Sequence, residues 1–130
     1  MANVPSFYAS PRSQVAIIST ANSARDGSGV LATCFTAGAE GSKVERIIVQ
    51  AIGTTTNGMV RLFVHNGTSA FLWKEIPIVA LTPSATVQAF RDEVDGSRPE
   101  NILLLPSGWS LRAAPHNAES FNIVVIGGDA

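Results

Sequence analysis

The sequence predicts an all-β fold, a jelly-roll-like β-sandwich of about eight strands. Short apolar or alternating segments recur along its 130 residues, and turn formers such as Asn-Gly and Pro-x-Gly separate them. Short strands at regular spacing are typical of a sandwich or a barrel. Two connections, residues 38–42 and 77–84, are long enough to cross between sheets. Such crossings favour the jelly-roll-like sandwich over a meander barrel.

Each predicted strand is an apolar run bounded by turn formers. The predicted strands are residues 14–19, 30–36, 43–52, 59–65, 69–76, 85–94, 102–105, 109–113 and 120–126. Pro77 favours a sheet edge or a strand end, because proline cannot donate to a central ladder. The stretch 91–100 is the most charged part of the chain and is expected to be a solvated connection. Gly127 and Gly128 are expected to free the chain end.

The length of the chain indicates one domain with an N-terminal extension. Residues 1–12 contain Pro5 and Pro11 and are interpreted as an extended N-terminal arm. Residues 13–130 form the predicted single β-sandwich domain. The N-terminus lacks the basic and apolar regions of a signal peptide. No apolar stretch approaches the length of about 20 residues that a membrane helix needs, so the sequence predicts no membrane partner.

Two Asn-Gly steps, at 57–58 and 66–67, bracket the segment 59–65. Asn-Gly suits the positive φ values of two-residue hairpin turns, so the pattern predicts three neighbouring antiparallel strands. If residues 66–67 form such a turn, the predicted pairs are His65 with Thr68, Leu62 with Phe71, and Val60 with Trp73. Side chains alternate across a strand. The predicted core face therefore carries Val60, Leu62, Val64, Phe71 and Trp73.

The opposite face of this hairpin is an amphipathic mixture. It carries Arg61, Phe63, His65, Ala70, Leu72 and Lys74. Leaving Phe63 and Leu72 in water would cost roughly 1.5–3 kcal/mol each. Either a second layer, such as a covering loop, packs on this face, or the face is a subunit interface. The final strand also has apolar residues on both sides, with Val124 and Ile126 opposite the core-facing set.

The composition points towards association with other proteins. Charged residues make up 15% of the chain, against about 25% in an average soluble protein. A monomer with so few charged residues would have too few solvated groups to cover its surface. The composition therefore indicates oligomerisation or docking on a larger surface. The net charge is −1 and no basic run occurs, so the sequence predicts no nucleic-acid partner.

No residue pattern predicts a catalytic, cofactor or metal site. Cys34, the single cysteine, is interpreted as a small buried hydrophobe. One cysteine and two distant histidines, His65 and His116, do not make a zinc motif. No Gly-x-Ser-x-Gly elbow fixes a nucleophile. The cluster of Asp92, Glu93 and Asp95 is expected to be solvated. The chain is therefore predicted not to be an enzyme.

Several motifs together resemble a family of small virion structural proteins from tailed bacteriophages, of the capsid decoration or cement type. These motifs are Val4-Pro-Ser-Phe, Ser19-Thr-Ala-Asn, Arg25-Asp-Gly, Phe35-Thr-Ala-Gly, the segment 53–63, Glu75-Ile-Pro, the segment 105–112, the segment 116–122 and the terminal Gly-Gly-Asp. They are turns and strands of the fold, and they include no reaction signature. The resemblance spans nearly the whole chain.

The resemblance implies a protein made in the host bacterial cytoplasm that sits on the capsid surface. It implies a homo-oligomer, expected as a trimer, that bridges major capsid protein subunits and stabilises the shell. The residues expected to contact neighbours are Val4, Phe7 and Tyr8 in the arm, with Phe63 and Leu72 in the hairpin. Two alternatives stay open. One is a head–tail junction or tail protein, and the other is a glycan- or host-surface-binding module in which Trp109 is an exposed aromatic.

Overall fold

The computed structural model describes residues 10–130 as two antiparallel sheets packed face to face, so the predicted all-β sandwich is confirmed. Sheet I has the strand order β1-β9-β3-β6, with β7 also pairing with β3, and sheet II has the order β2-β8-β4-β5. The strands are β1 Ser10–Ile18, β2 Ala32–Thr36, β3 Ser42–Ala51, β4 Gly58–His65, β5 Ala70–Ile78, β6 Arg91–Asp95, β7 Leu103–Leu105, β8 Ser110–Pro115 and β9 Phe121–Asp129.

The connectivity is that of a jelly roll. Strands β6 and β7 both run antiparallel to β3, along residues 46–50 and 42–44 respectively. They form one interrupted strand, and the interruption contains the 3₁₀ turn Pro99–Asn101. Each sheet therefore has four strand positions. Successive strands change sheet everywhere except at the β4–β5 hairpin and between the two halves of the interrupted strand, which is the double-sheet arrangement of this fold.

The core lies between the sheets and follows from the alternation of side chains along each strand. Burial in β3 alternates through Ile47, Val49 and Ala51, and Val44 is also buried because a bulge between Val44 and Arg46 resets the alternation. The same alternation occurs in β9. The fully buried side chains of the core include Phe35, Ile47, Val49, Val60, Leu62, Leu111, Ile123 and Val125. Every strand, including the short edge strand β6, contributes at least one buried residue to this layer.

The first Asn-Gly step does not form a hairpin, so the prediction of three neighbouring strands is wrong. β3 belongs to sheet I and β4 to sheet II, and residues 52–57 cross between them. Thr55 forms an isolated bridge with Leu81 of the next crossing connection, and its Oγ1 donates to the Val79 carbonyl at 2.8 Å. Asn57 Oδ1 accepts from the Ala80 amide at 2.9 Å. The asparagine therefore ties two crossings together instead of turning a hairpin.

The second Asn-Gly step does join a hairpin, but the predicted register is wrong by two residues. His65 pairs with Ala70, so the loop contains four residues. In the described residues only glycines have positive φ, and Gly67 is one of them at 95°. Asn66 instead accepts at Oδ1 from the amides of Thr68 and Ser69, at 3.0 and 2.8 Å. A bulge between Leu62 and Phe63 shifts the remaining pairs again.

Several predicted boundaries also differ. β1 begins at Ser10, so the last three residues of the predicted arm are strand. The predicted strand 85–94 is reduced to β6, which lies instead within the stretch expected to be a connection. Pro77 lies on the edge strand β5, as predicted.

The chain end is held firmly, contrary to the prediction that its glycines free it. β9 runs to Asp129 and pairs with β1 on one side and β3 on the other. Asp129 Oδ1 accepts from Ser42 Oγ at 2.6 Å and from Arg12 Nη2 at 3.1 Å. These bonds lower the pKa of Asp129, with the Ser42 bond as the larger cause.

Candidate interaction surfaces

The outer face of sheet II is covered by the β1–β2 connection, residues 19–31. The Asn22 amide donates to the Pro115 carbonyl of β8 at 2.9 Å, and Arg25 Nε donates to Glu75 Oε2 of β5 at 2.8 Å. Under this connection Phe63 has no exposed surface and Ala114 is 2% exposed. A second packed layer, one of the two interpretations left open by the sequence, therefore lies here.

Arg61 is the buried charge of this second layer. Its side chain is 2% exposed, and its Nε donates to Glu75 Oε2 at 2.8 Å. Its Nη1 lies 3.1 Å from His116 Nδ1 and 3.4 Å from the Asn22 carbonyl. The hydrogen bonds from Arg25 and Arg61, in that order, lower the pKa of Glu75. The guanidinium therefore links sheet II to the loop that covers it.

The hairpin residues expected at an interface fall into two groups. Phe63 is buried inside the subunit, so it is not available to a neighbouring molecule, and this expectation is corrected. Leu72 is 36% exposed on the edge strand β5. Its neighbour Phe71 is 56% exposed near the start of β5, so the prediction that it lies in the core is wrong. Val4, Phe7 and Tyr8 lie outside the described residues.

The outer face of sheet I carries a cluster of uncovered apolar side chains, which we call the apolar face. Val124 lies between Val15 on β1 and Ile48 on β3, and all three point outward. Val15 and Ile17 are 65% and 67% exposed, and Ile126 is 38% exposed. The apolar face consists of Val15, Ile17, Ile48, Val124 and Ile126. The apolar residues on both sides of the final strand were the sequence signal for it.

The other half of the same face is charged. Arg46 pairs in register with Asp95, and Glu93 faces Ile48 across the β3–β6 ladder. Arg91 Nη2 lies 3.7 Å from Glu93 Oε2. Sheet I therefore presents an apolar half along β1 and β9 and a half of mixed charge along β6. No residue of the described part of the chain covers the apolar half.

A cleft of about 540 Å³ opens on sheet II between the covering connection and the β4–β5 turn. Residues 26–31 form one wall and residues 68–70 form the other, with His65 and Arg112 also lining it. Arg112 Nε donates to Ser110 Oγ at 3.2 Å. The cleft is largely polar, and its position depends on the covering connection, which the sequence left open as one of two interpretations of this face.

The remaining residues considered for chemistry occupy structural positions. Cys34 is buried, and burial raises the pKa of its thiol to about 12, as expected for an inert buried cysteine. Trp109 is half-buried and packs against the core. Asp92 and Glu93 lie exposed on β6. Within residues 10–130, no three His, Cys, Asp or Glu side chains are grouped closely enough to hold a metal ion.

Comparisons with protein-family models, with curated proteins and with solved structures give no significant match. In the described part of the chain, no helix has the length and apolar character needed to span a membrane.

Proposed function

We propose that this chain is a non-enzymatic structural protein of a tailed-bacteriophage virion, a capsid decoration protein that oligomerises on the head surface. In this proposal the subunits form a trimer, contact the major capsid protein and stabilise the shell by bridging its subunits. The motifs that resemble small phage virion proteins support this function, and so does the low content of charged residues.

The apolar face is the observation that carries the proposal. Val15 and Ile17 are each about two-thirds exposed, and Val124, Ile126 and Ile48 continue the same surface. Uncovered apolar surface of this kind marks protein–protein contact sites. Obligate interfaces are the more hydrophobic class. We therefore assign the apolar face to contact with a second copy of the chain.

Exposed apolar side chains on a second surface support a cyclic assembly. Phe71 and Leu72 lie on β5, at the edge of sheet II, whereas the apolar face belongs to sheet I. A ring of three subunits uses two different surfaces of each subunit, which meet head to tail. The apolar face on sheet I and the exposed apolar residues on the edge strand of sheet II fit this requirement. Leu72 therefore remains a proposed contact residue.

The jelly roll is compatible with the proposal but does not establish it. Double-sheet jelly rolls occur in viral capsid proteins and also in lectins, and a fold by itself does not fix a function. The proposal therefore depends on association, and association can be measured.

The first experiment compares the purified protein with its Ile17→Lys variant by sedimentation equilibrium. Ile17 is exposed on an edge strand, where lysine is well tolerated, so the variant is expected to fold. We expect a trimer for the unsubstituted protein and a monomer for Ile17→Lys, because a charge buried in an apolar interface is costly.

Thr36→Lys is the matched control, because Thr36 is exposed on the edge strand β2 of the other sheet. This variant should remain trimeric, and a cooperative unfolding transition of monomeric Ile17→Lys would show that the loss of association is not a loss of folding. A monomeric unsubstituted protein, or a trimer that tolerates Ile17→Lys, would contradict the assignment of the apolar face.

A further inference from the structure

The cleft on sheet II has features of a ligand site that the proposed structural role does not use. We propose that it binds an acidic saccharide, a sugar ring that carries a carboxylate. Arg112 would pair with the carboxylate, and Asp26, Ser28 and Ser69 would bond to the sugar hydroxyls. The site is separate from the apolar face, which lies on the other sheet.

Arg112 supplies an available positive charge. It is half-buried on β8, and its Nε is bonded to Ser110 Oγ. Among residues 10–130, no carboxylate lies within ion-pair distance of Arg112. The N–H groups on Nη1 and Nη2 can therefore meet a ligand. A planar guanidinium binds a carboxylate with two parallel hydrogen bonds.

The other polar groups of the cleft suit hydroxyls better than a second charge. Asp26 Oδ1 accepts from the Ser28 amide and hydroxyl, at 3.0 and 2.6 Å. These bonds lower the pKa of Asp26 and keep it ionised, and a carboxylate has further acceptor positions. A purely anionic ligand would be repelled by Asp26, whereas a sugar hydroxyl can donate to it. The combination of Arg112 and Asp26 therefore selects a ligand with both a carboxylate and hydroxyl groups.

His65 adds a further polar side chain to the lining of the cleft. The Gly67 amide donates to His65 Nδ1 at 3.1 Å, so Nδ1 is occupied as an acceptor and Nε2 is the ring nitrogen left for a ligand. His65 lines the cleft together with Thr68 and Ser69. The site thus offers both donors and acceptors, as a saccharide requires.

The wall of the cleft is formed in advance of binding. Asn22 Nδ2 donates to the carbonyls of Ser28 and Val30, at 2.9 and 3.0 Å. Gly27 has a φ of 87°, and a Cβ at this position would lie 2.4 Å from the Ala70 carbonyl oxygen. Only glycine allows the loop to approach the start of β5 this closely. A preformed site loses less entropy on binding.

The experiment titrates the 130-residue chain with sodium D-glucuronate and follows amide resonances by two-dimensional NMR. The cleft has the volume of a small-ligand site, and a monosaccharide in such a site binds with a Kd of about 1 mM. We expect saturable shifts at Gly27 and Gly29, which line the cleft, and none at Gly96, which lies at the end of β6 on sheet I.

Arg112→Gln should weaken binding by about tenfold or more, because it removes a charged hydrogen-bond donor. Arg98→Gln is the matched control, because Arg98 is highly exposed and lies beyond β6 on the other sheet. The spectrum of Arg112→Gln also reports whether the variant is folded. An equal loss of binding in the two variants would overturn the assignment of Arg112.

Two further ligands test the chemical class. Glucose, which lacks the carboxylate, should bind at least about tenfold more weakly than glucuronate if Arg112 holds that group. Inorganic phosphate should shift the Gly27 and Gly29 amides less than glucuronate does at the same concentration. Equal binding of phosphate, or no saturable shift with glucuronate, would overturn the proposal. Neither result would bear on the trimer, because the trimer is tested separately on the apolar face.

Discussion

Arg61 joins the outer face of sheet II to the connections that cover it. A buried guanidinium needs partners on every side, and it finds Glu75 in the next strand together with His116 and Asn22 in two connections. The sequence placed Arg61 on an amphipathic face, which was correct. The partners that bury it come from distant parts of the chain, so the spacing of residues around Arg61 held no information about them.

The ion pairs of Glu75 make stability depend on acid pH. Hydrogen bonds from Arg25 and Arg61 lower the pKa of Glu75 below its ordinary value of 4.5, so the unfolded chain binds this proton more tightly than the folded chain does. The stabilisation is complete above about pH 4.5 and is lost as the pH falls through the lowered pKa. We expect Glu75→Gln to reduce the free energy of unfolding at pH 7 and to flatten its decline in acid.

Urea unfolding at several pH values measures this effect. Glu40→Gln is the control, because Glu40 is exposed in the turn before β3. If Glu75→Gln and Glu40→Gln show the same dependence of stability on pH, the ion pairs of Glu75 do not contribute to it.

At the scale of elements, the strands were more predictable than their pairing. Residues 43–52 and 59–65 were predicted as strands, close to the observed β3 and β4. Their assignment to one sheet was wrong, because an Asn-Gly step between two apolar runs fits both a hairpin and a crossing connection. Asn57 stabilises the crossing connection, because its side-chain oxygen accepts a hydrogen bond from the Ala80 amide in another connection. That contact is tertiary, and it has no local signature.

Strand β9 shows a glycine whose role depends on a neighbouring strand. A Cβ at Gly127 would lie 2.2 Å from the Lys43 carbonyl oxygen of β3. Backbone cannot move aside cheaply in a strand that is paired on both sides. We expect Gly127→Ala to lower the free energy of unfolding by about 2 kcal/mol or more.

The control for this substitution is Gly53→Ala, because a Cβ at Gly53 would meet no atom within 4 Å. Denaturant unfolding of the two variants gives the comparison directly. A loss of stability at Gly127 no larger than at Gly53 would mean that β3 and β9 are not as close as the structure places them.

At the scale of the whole molecule, the N-terminal segment can be tested without disturbing the domain. β1 begins at Ser10 and Arg12 bonds to Asp129, so a deletion through residue 12 would remove part of sheet I. We expect deletion of residues 2–9 to leave the domain folded. It should reduce occupancy on purified phage heads, because it removes the proposed contact residues Val4, Phe7 and Tyr8.

Co-sedimentation with heads, followed by quantitative gel analysis, measures the occupancy. A variant in which Val4, Phe7 and Tyr8 are all serine preserves the length of the chain and separates contact from length. If both the deletion and the serine variant occupy the heads fully, then Val4, Phe7 and Tyr8 do not contact the capsid, and the proposal is wrong for these residues. Electron microscopy of the decorated heads would show whether the protein covers the lattice or sits at a single junction.

The sequence by itself determined the all-β class, the approximate strands and the apolar character of Cys34, Val124 and Ile126. These features follow from alternation and turn chemistry, which act over a few residues. Only the tertiary structure decided that Phe63 is buried, that the apolar face lies on sheet I and that Arg112 lines a cleft. The physical reason is that exposure depends on what else covers a strand. In this fold the cover is the 19–31 connection, which reaches sheet II through hydrogen bonds to distant residues.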